Sequence, residues 1–162
     1  MNKFKTFLIL LVSFILQTTI FSKINIMGAN INLIIPVLVA ISQVLGAKIG
    51  GYSGLIIGLI EDFLFTKFIG VRALTYFIIG NFVASDKFRI AKDKPAGMIM
   101  TALATAFHLM LASLIYFILT RISSFADYLP LPLIIEMILN SLVYLIFIPI
   151  VKKVMYIPTY RI

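Results

Sequence analysis

Polar residues are confined to short gaps in this chain. Apolar runs fill residues 4–21, 31–45, 49–65, 69–84, 96–119 and 131–151, and no polar stretch between them exceeds the length of a loop. A chain patterned this way offers water no polar face along most of its length. Its backbone groups must be satisfied within each run, which points to helices packed in a bilayer. Apolar residues make up 62% of the sequence, against about 45–50% in soluble domains. The expected fold is all-α: a single domain over residues 1–162 with six transmembrane helices. At roughly 20 residues per crossing, nothing is left for a soluble domain.

The formal charge of +8 invites a nucleic-acid reading. The cations sit at the ends of the apolar runs, however, where topology and anionic headgroups account for them. Membrane lipids are expected partners and nucleic acid is not. No cysteine is present, which removes disulfides, thiolate metal sites and thiol nucleophiles. Lys3 and Lys5 stand at the start of the first run as in a signal peptide, but no small-x-small cleavage site follows it. The run therefore reads as a retained helix.

Orientation follows from the cations. With the amino terminus inside, the inner side takes Lys3, Lys5, Lys48, the four in 85–95, Lys152, Lys153 and Arg161. The outer side takes only Lys23, Lys67, Arg72 and Arg121. Positive charge collects in cytoplasmic segments, so both termini are expected in the cytoplasm. The cytoplasmic loops are then 46–48 and 85–95, and the outer ones 22–30, 66–70 and 121–130. Without tryptophan, Tyr52, Tyr128 and Tyr156 are the candidate interfacial anchors.

One stretch, 46–83, looks built for packing. Gly50, Gly54 and Gly58 recur every four residues and share one helix face, where a second helix can approach backbone to backbone. The stripe ends in Glu61 and Asp62. A short turn with Lys67 and Gly70 follows, and Arg72 lies in the first turn of the returning helix. Glu136 falls at a similar depth on the sixth helix. Ionisable groups at such depth mark function or pair with one another. One reading is an acidic pocket for a cation, a proton or a basic partner. The other is an ion-paired layer joining helices three, four and six, with Arg72 neutralising Asp62 or Glu136.

His108, the single histidine, lies near the middle of helix five. One imidazole is short of the three or four ligands a metal needs. It reads as an interhelical hydrogen bond, beside the alternative of a proton path with Glu136. Gln17, Gln43, Asn81 and Asn140 read as packing contacts. Ser13, Ser113 and Ser141 lack a base at useful spacing, and no P-loop, HExxH or dinucleotide fingerprint occurs. No enzyme, cofactor or metal is expected.

The 46–83 region also carries a resemblance. Gly54 and Gly58 with Leu59 and Asp62 form a spaced-glycine helix ending in Gly-Leu-x-x-Asp. Gly70, Ala73 and Leu74 form a Gly-x-x-Ala-Leu start, and Gly80 follows. Gln17-Thr18-Thr19 closes the first helix, and Gly28, Asn30, Asn32 and Leu33 precede the second. In this the chain resembles the bacterial rod-shape-determining MreD family. Glu61 beside Asp62, and Arg72 in place of a neutral polar residue, depart from the family pattern. The resemblance implies a non-catalytic scaffold in the bacterial cytoplasmic membrane, within the machinery of cell-wall elongation. It implies binding to the single-helix protein MreC, and through it support of RodA and a class B penicillin-binding protein in peptidoglycan synthesis, with the MreB filament inside. The family is also similar to the six-helix substrate-binding subunits of energy-coupling-factor vitamin transporters. A substrate-binding role of that kind is the alternative. Those subunits present an Ala-x-x-x-Ala surface on helix one, and residues 7–20 contain no such pair.

Overall fold

The shortest apolar runs build the centre of the molecule. The computed structural model describes residues 2–84, 94–121 and 131–155. Its helices are α1 (Asn2–Thr19), α2 (Ile34–Leu45), α3 (Ala47–Phe65), α4 (Val71–Phe82), α5 (Lys94–Thr120) and α6 (Leu131–Val154). A 3-10 turn, Phe21–Lys23, and a small hairpin of β1 (Asn25–Ile26) and β2 (Ala29–Asn30) join α1 to α2. Every residue of α2 from Ile34 to Ser42 is buried. A helix apolar on all sides is stable only when enclosed, and α2 packs against each of the other five helices.

The second helix begins later than the apolar run suggested, at Ile34 instead of residue 31. Asn32 explains the shift. Its side-chain oxygen accepts hydrogen bonds from the N–H groups of Ile34 (3.0 Å) and Ile35 (3.3 Å), closing the exposed first turn. Pro36 is then the third helical residue, where a missing N–H leaves no bond unmade. Segment 22–30, expected to be a plain outer loop, holds the hairpin. Met27 (φ 52°) and Gly28 (φ 86°) are both left-handed, as a two-residue mirror-type turn requires. The strands are two residues each, too short to leave an alternating pattern in the sequence.

Gly46, at φ +94°, is the whole link between α2 and α3. So short a link forces the two helices to run antiparallel. The helices alternate in direction, and the two ends of the described chain meet. Lys5 Nζ donates to the Val154 carbonyl at 2.8 Å, and Thr6 lies against Met155. An ammonium at that position also complements the carboxyl end of α6. α4 is shorter than the 69–84 run, because Gly70 (φ +109°) holds the turn before it. α6 is longer than 131–151, continuing through Pro149 to Val154.

Large apolar side chains cover the outside, including Phe4, Phe7, Phe63, Ile99 and Leu103, with Phe63 74% exposed. Such a surface suits lipid. Three segments have the length and composition of a full span: Asn2–Lys23, Pro95–Thr120 and Leu131–Val154. α2 and α4, at 12 residues each, extend only about 18 Å. α3 has 19 residues but carries Lys48, Glu61 and Asp62. The expected loop 85–95 lies outside the described residues except for its last two, and the loop 121–130 except for Arg121. Tyr128, Tyr156 and Arg161 also lie outside them.

Candidate functional site

The glycine face of α3 meets α4. A Cβ on Gly54 would collide with the Tyr76 carbonyl, and one on Gly58 would stand 2.5 Å from the Ala73 Cα. Gly50 lies against the backbone of Gly80 and the side chain of Ser42. Glycines on both helices let the two backbones touch along three turns. This contact fixes the start of α4 beside the end of α3, and so builds the polar corner.

Asp62 organises that corner. Its Oδ2 accepts from the backbone N–H groups of Gly70 (2.9 Å), Arg72 (2.9 Å) and Ala73 (3.2 Å). These are among the donors that the first turn of a helix leaves free, and a carboxylate there also suits the helix dipole. Asp62 is fully buried, and its charge is met by these N–H groups. The ion pair expected between Arg72 and Asp62 or Glu136 is corrected accordingly. Arg72 Nη1 faces Glu61 Oε2 at 3.5 Å, with Glu61 nearly enclosed and Arg72 about one-third exposed. Glu136 makes no ion pair among the described residues.

Tyr76 joins the pieces. Its hydroxyl donates to Glu61 Oε2 at 3.0 Å and accepts from Asn32 Nδ2 at 3.2 Å. Its ring stacks on His108 with centroids 4.9 Å apart. His108 Nδ1 is 2.9 Å from the Thr75 hydroxyl, an interhelical contact between α5 and α4. Asn140 ties α6 to both neighbours, accepting from Asn32 N–H at 3.0 Å and donating to the Thr105 hydroxyl at 3.1 Å. Gln17 clamps α1 to the entry of α2, donating to the Ile31 carbonyl and accepting from Leu33 N–H. Gln43 accepts from the Tyr144 hydroxyl at 2.6 Å, and Asn81 bonds back to Phe77 on its own helix while its side chain packs on Gly51 of α3.

These groups surround a cavity of about 470 Å³ at the end of the bundle that holds the hairpin. Glu61, Arg72, Tyr76, His108 and Glu136 all line it. Asp62, expected in the same layer, is turned away into its cap. A second hollow, about 330 Å³ between α4 and α5, is apolar and lined by residues such as Ile78, Phe82, Leu103 and Phe107. Among the described residues no three histidine or carboxylate side chains converge as a metal site would need.

The family model described as rod shape-determining protein MreD matches residues 1–156 of the 162. The chain belongs to the MreD family. It is a rod-shape-determining membrane protein. No curated protein matches it, and no solved structure does. The expected likeness to energy-coupling-factor subunits is not shown by these comparisons. In this MreD chain the glycine stripe, the Gly-Leu-x-x-Asp ending and the Gly-x-x-Ala-Leu start become a single unit: one helix–helix contact and the carboxylate cap that it positions. Tyr76, Thr75 and Asn32 join the corner only through the tertiary structure. Tyr76 lies four residues after Arg72, on the same face of α4, and that spacing was the signal available for it.

Proposed function

We propose that the protein is a non-catalytic scaffold subunit of the cell-elongation machinery in the bacterial cytoplasmic membrane. The match to the MreD family over residues 1–156 carries this reading. All six helices lie within the membrane in it, with both termini cytoplasmic. The meeting of Lys5 with Val154 supports that topology, since it brings the two chain ends to one side. Lys3, Lys48, Lys152 and Lys153 belong to that same side. The short α2 reaches no lipid along its buried length, so a full-length apolar span is not required of it.

The scaffold binds an MreC-like single-helix protein and through it supports RodA, a class B penicillin-binding protein and peptidoglycan synthesis, with MreB filaments inside the cell. The glycine face is taken up inside the fold, which leaves the larger apolar side chains outside for a partner helix. The test is co-purification of the full-length protein with its MreC-like partner from membranes, together with restoration of rod shape in cells depleted of the protein. Rounded cells and no co-purification, with a folded and membrane-inserted protein, would exclude the reading.

A further inference from the structure

Two carboxyl groups and one guanidinium line the polar cavity. Glu61 is held by Arg72 at 3.5 Å and by the Tyr76 hydroxyl at 3.0 Å. Glu136 lines the same cavity and is only 8% exposed. Asn140, one turn along α6, turns its amide to Asn32 and Thr105, and among the described residues no cation pairs with Glu136. A buried carboxylate without a counter-ion is costly. Here that carboxylate faces about 470 Å³ of open space, within the roughly 300–1,000 Å³ range of small-molecule sites.

The walls narrow the chemistry. Phe65, Tyr76 and Tyr116 line the cavity with Glu136. Aromatic side chains and a carboxyl group lining one cavity are the surroundings that recognise organic ammonium ions. A divalent metal fits poorly, because it wants about six oxygen ligands and no cluster of three acidic or histidine side chains forms among the described residues. We propose that the cavity binds an organic ammonium ion, with Glu136 as its counter-ion and the aromatic faces against its carbon groups. Ser113 and Asn30, which also line the cavity, take hydrogen-bonding groups of the ligand. The ammonium can come from a free amine or from a lipid headgroup. The inference stands apart from the partner-binding reading, since it concerns the cavity and not the outer surface.

The experiment uses full-length protein in nanodiscs of phosphatidylglycerol, a lipid with no ammonium. Choline and ethanolamine are titrated, with glycerol as the neutral control, and thermal unfolding is followed. A saturable rise in Tm with either amine and none with glycerol is expected. Glu136→Gln keeps the size of the side chain and should weaken that response at least tenfold. Tyr116→Leu should weaken it several-fold, and it carries the test if Glu136→Gln does not fold. In a second arm phosphatidylethanolamine is added to the nanodiscs. A rise in Tm with this lipid alone, and competition with choline, assigns the ammonium to a headgroup; an unchanged choline midpoint assigns it to a free amine. No saturable response to either amine or to the lipid overturns the proposal. So does a response of equal size in Glu136→Gln.

Discussion

Two neighbouring acids, Glu61 and Asp62, do different work because a helix turns 100° per residue. Asp62 faces the start of α4 and collects three N–H groups there. Asp62→Ala should remove this cap and cost about 0.5–2 kcal/mol, the usual range for a lost cap. Asp62→Asn keeps an acceptor and should fall between. Melting of the detergent-solubilised protein, followed by size-exclusion chromatography, gives the order. Equal melting of Asp62→Ala and wild type would rule out the cap as a stabilising element. Glu61 faces Arg72 and Tyr76 instead. Arg72→Leu leaves a nearly enclosed carboxylate with the Tyr76 hydroxyl as its remaining donor and should cost about 1–3 kcal/mol, between exposed and buried pairs. Adding Glu61→Gln should restore much of that loss. A double variant no better than Arg72→Leu would mean that the two residues are not coupled.

At the scale of elements, the α3–α4 contact sets the geometry of everything at the hairpin end. Any side chain at Gly54 meets backbone, and backbone cannot rotate out of the way. Gly54→Leu should therefore separate the two helices and displace Tyr76, whose carbonyl is the group struck. The expected result is loss of monodisperse protein in detergent. The competing outcome is a Gly54→Leu protein that stays stable and monodisperse but no longer binds the MreC-like partner. That would move the partner interface onto α3. The other organising element, α2, is short for a physical reason. It is enclosed by its neighbours, so nothing requires it to match the thickness of the bilayer.

The whole molecule has two unlike ends. One gathers Lys3, Lys5, Lys48, Lys152 and Lys153, and the other holds the hairpin, the cavity and Lys67. The inner side should be the lysine-rich one. Single cysteines in this cysteine-free chain, at Lys48→Cys and Lys67→Cys, read this out, and both positions are exposed. A membrane-impermeant thiol reagent added to spheroplasts should label position 67 and spare position 48. The reverse pattern would turn the protein over in the membrane.

The sequence by itself determined the class and the order of the helices. Hydrophobic runs, prolines, glycines and basic ends are local properties, and α1, α3, α5 and α6 follow from them to within a few residues. It also marked Gly50, Gly54, Gly58, Glu61, Asp62, Arg72 and Glu136 as a region of interest, because glycines and charges are rare in apolar helices. Only the tertiary structure decided which acid pairs and which caps, since that depends on how α4 is rotated against α3. Only the tertiary structure placed α2 at the centre, because an apolar run reads the same whether lipid or protein surrounds it. The cavity likewise has no sequence signature. It is the space left where α1, α3, α4, α5 and α6 meet, and its polar lining is drawn from residues more than 100 positions apart.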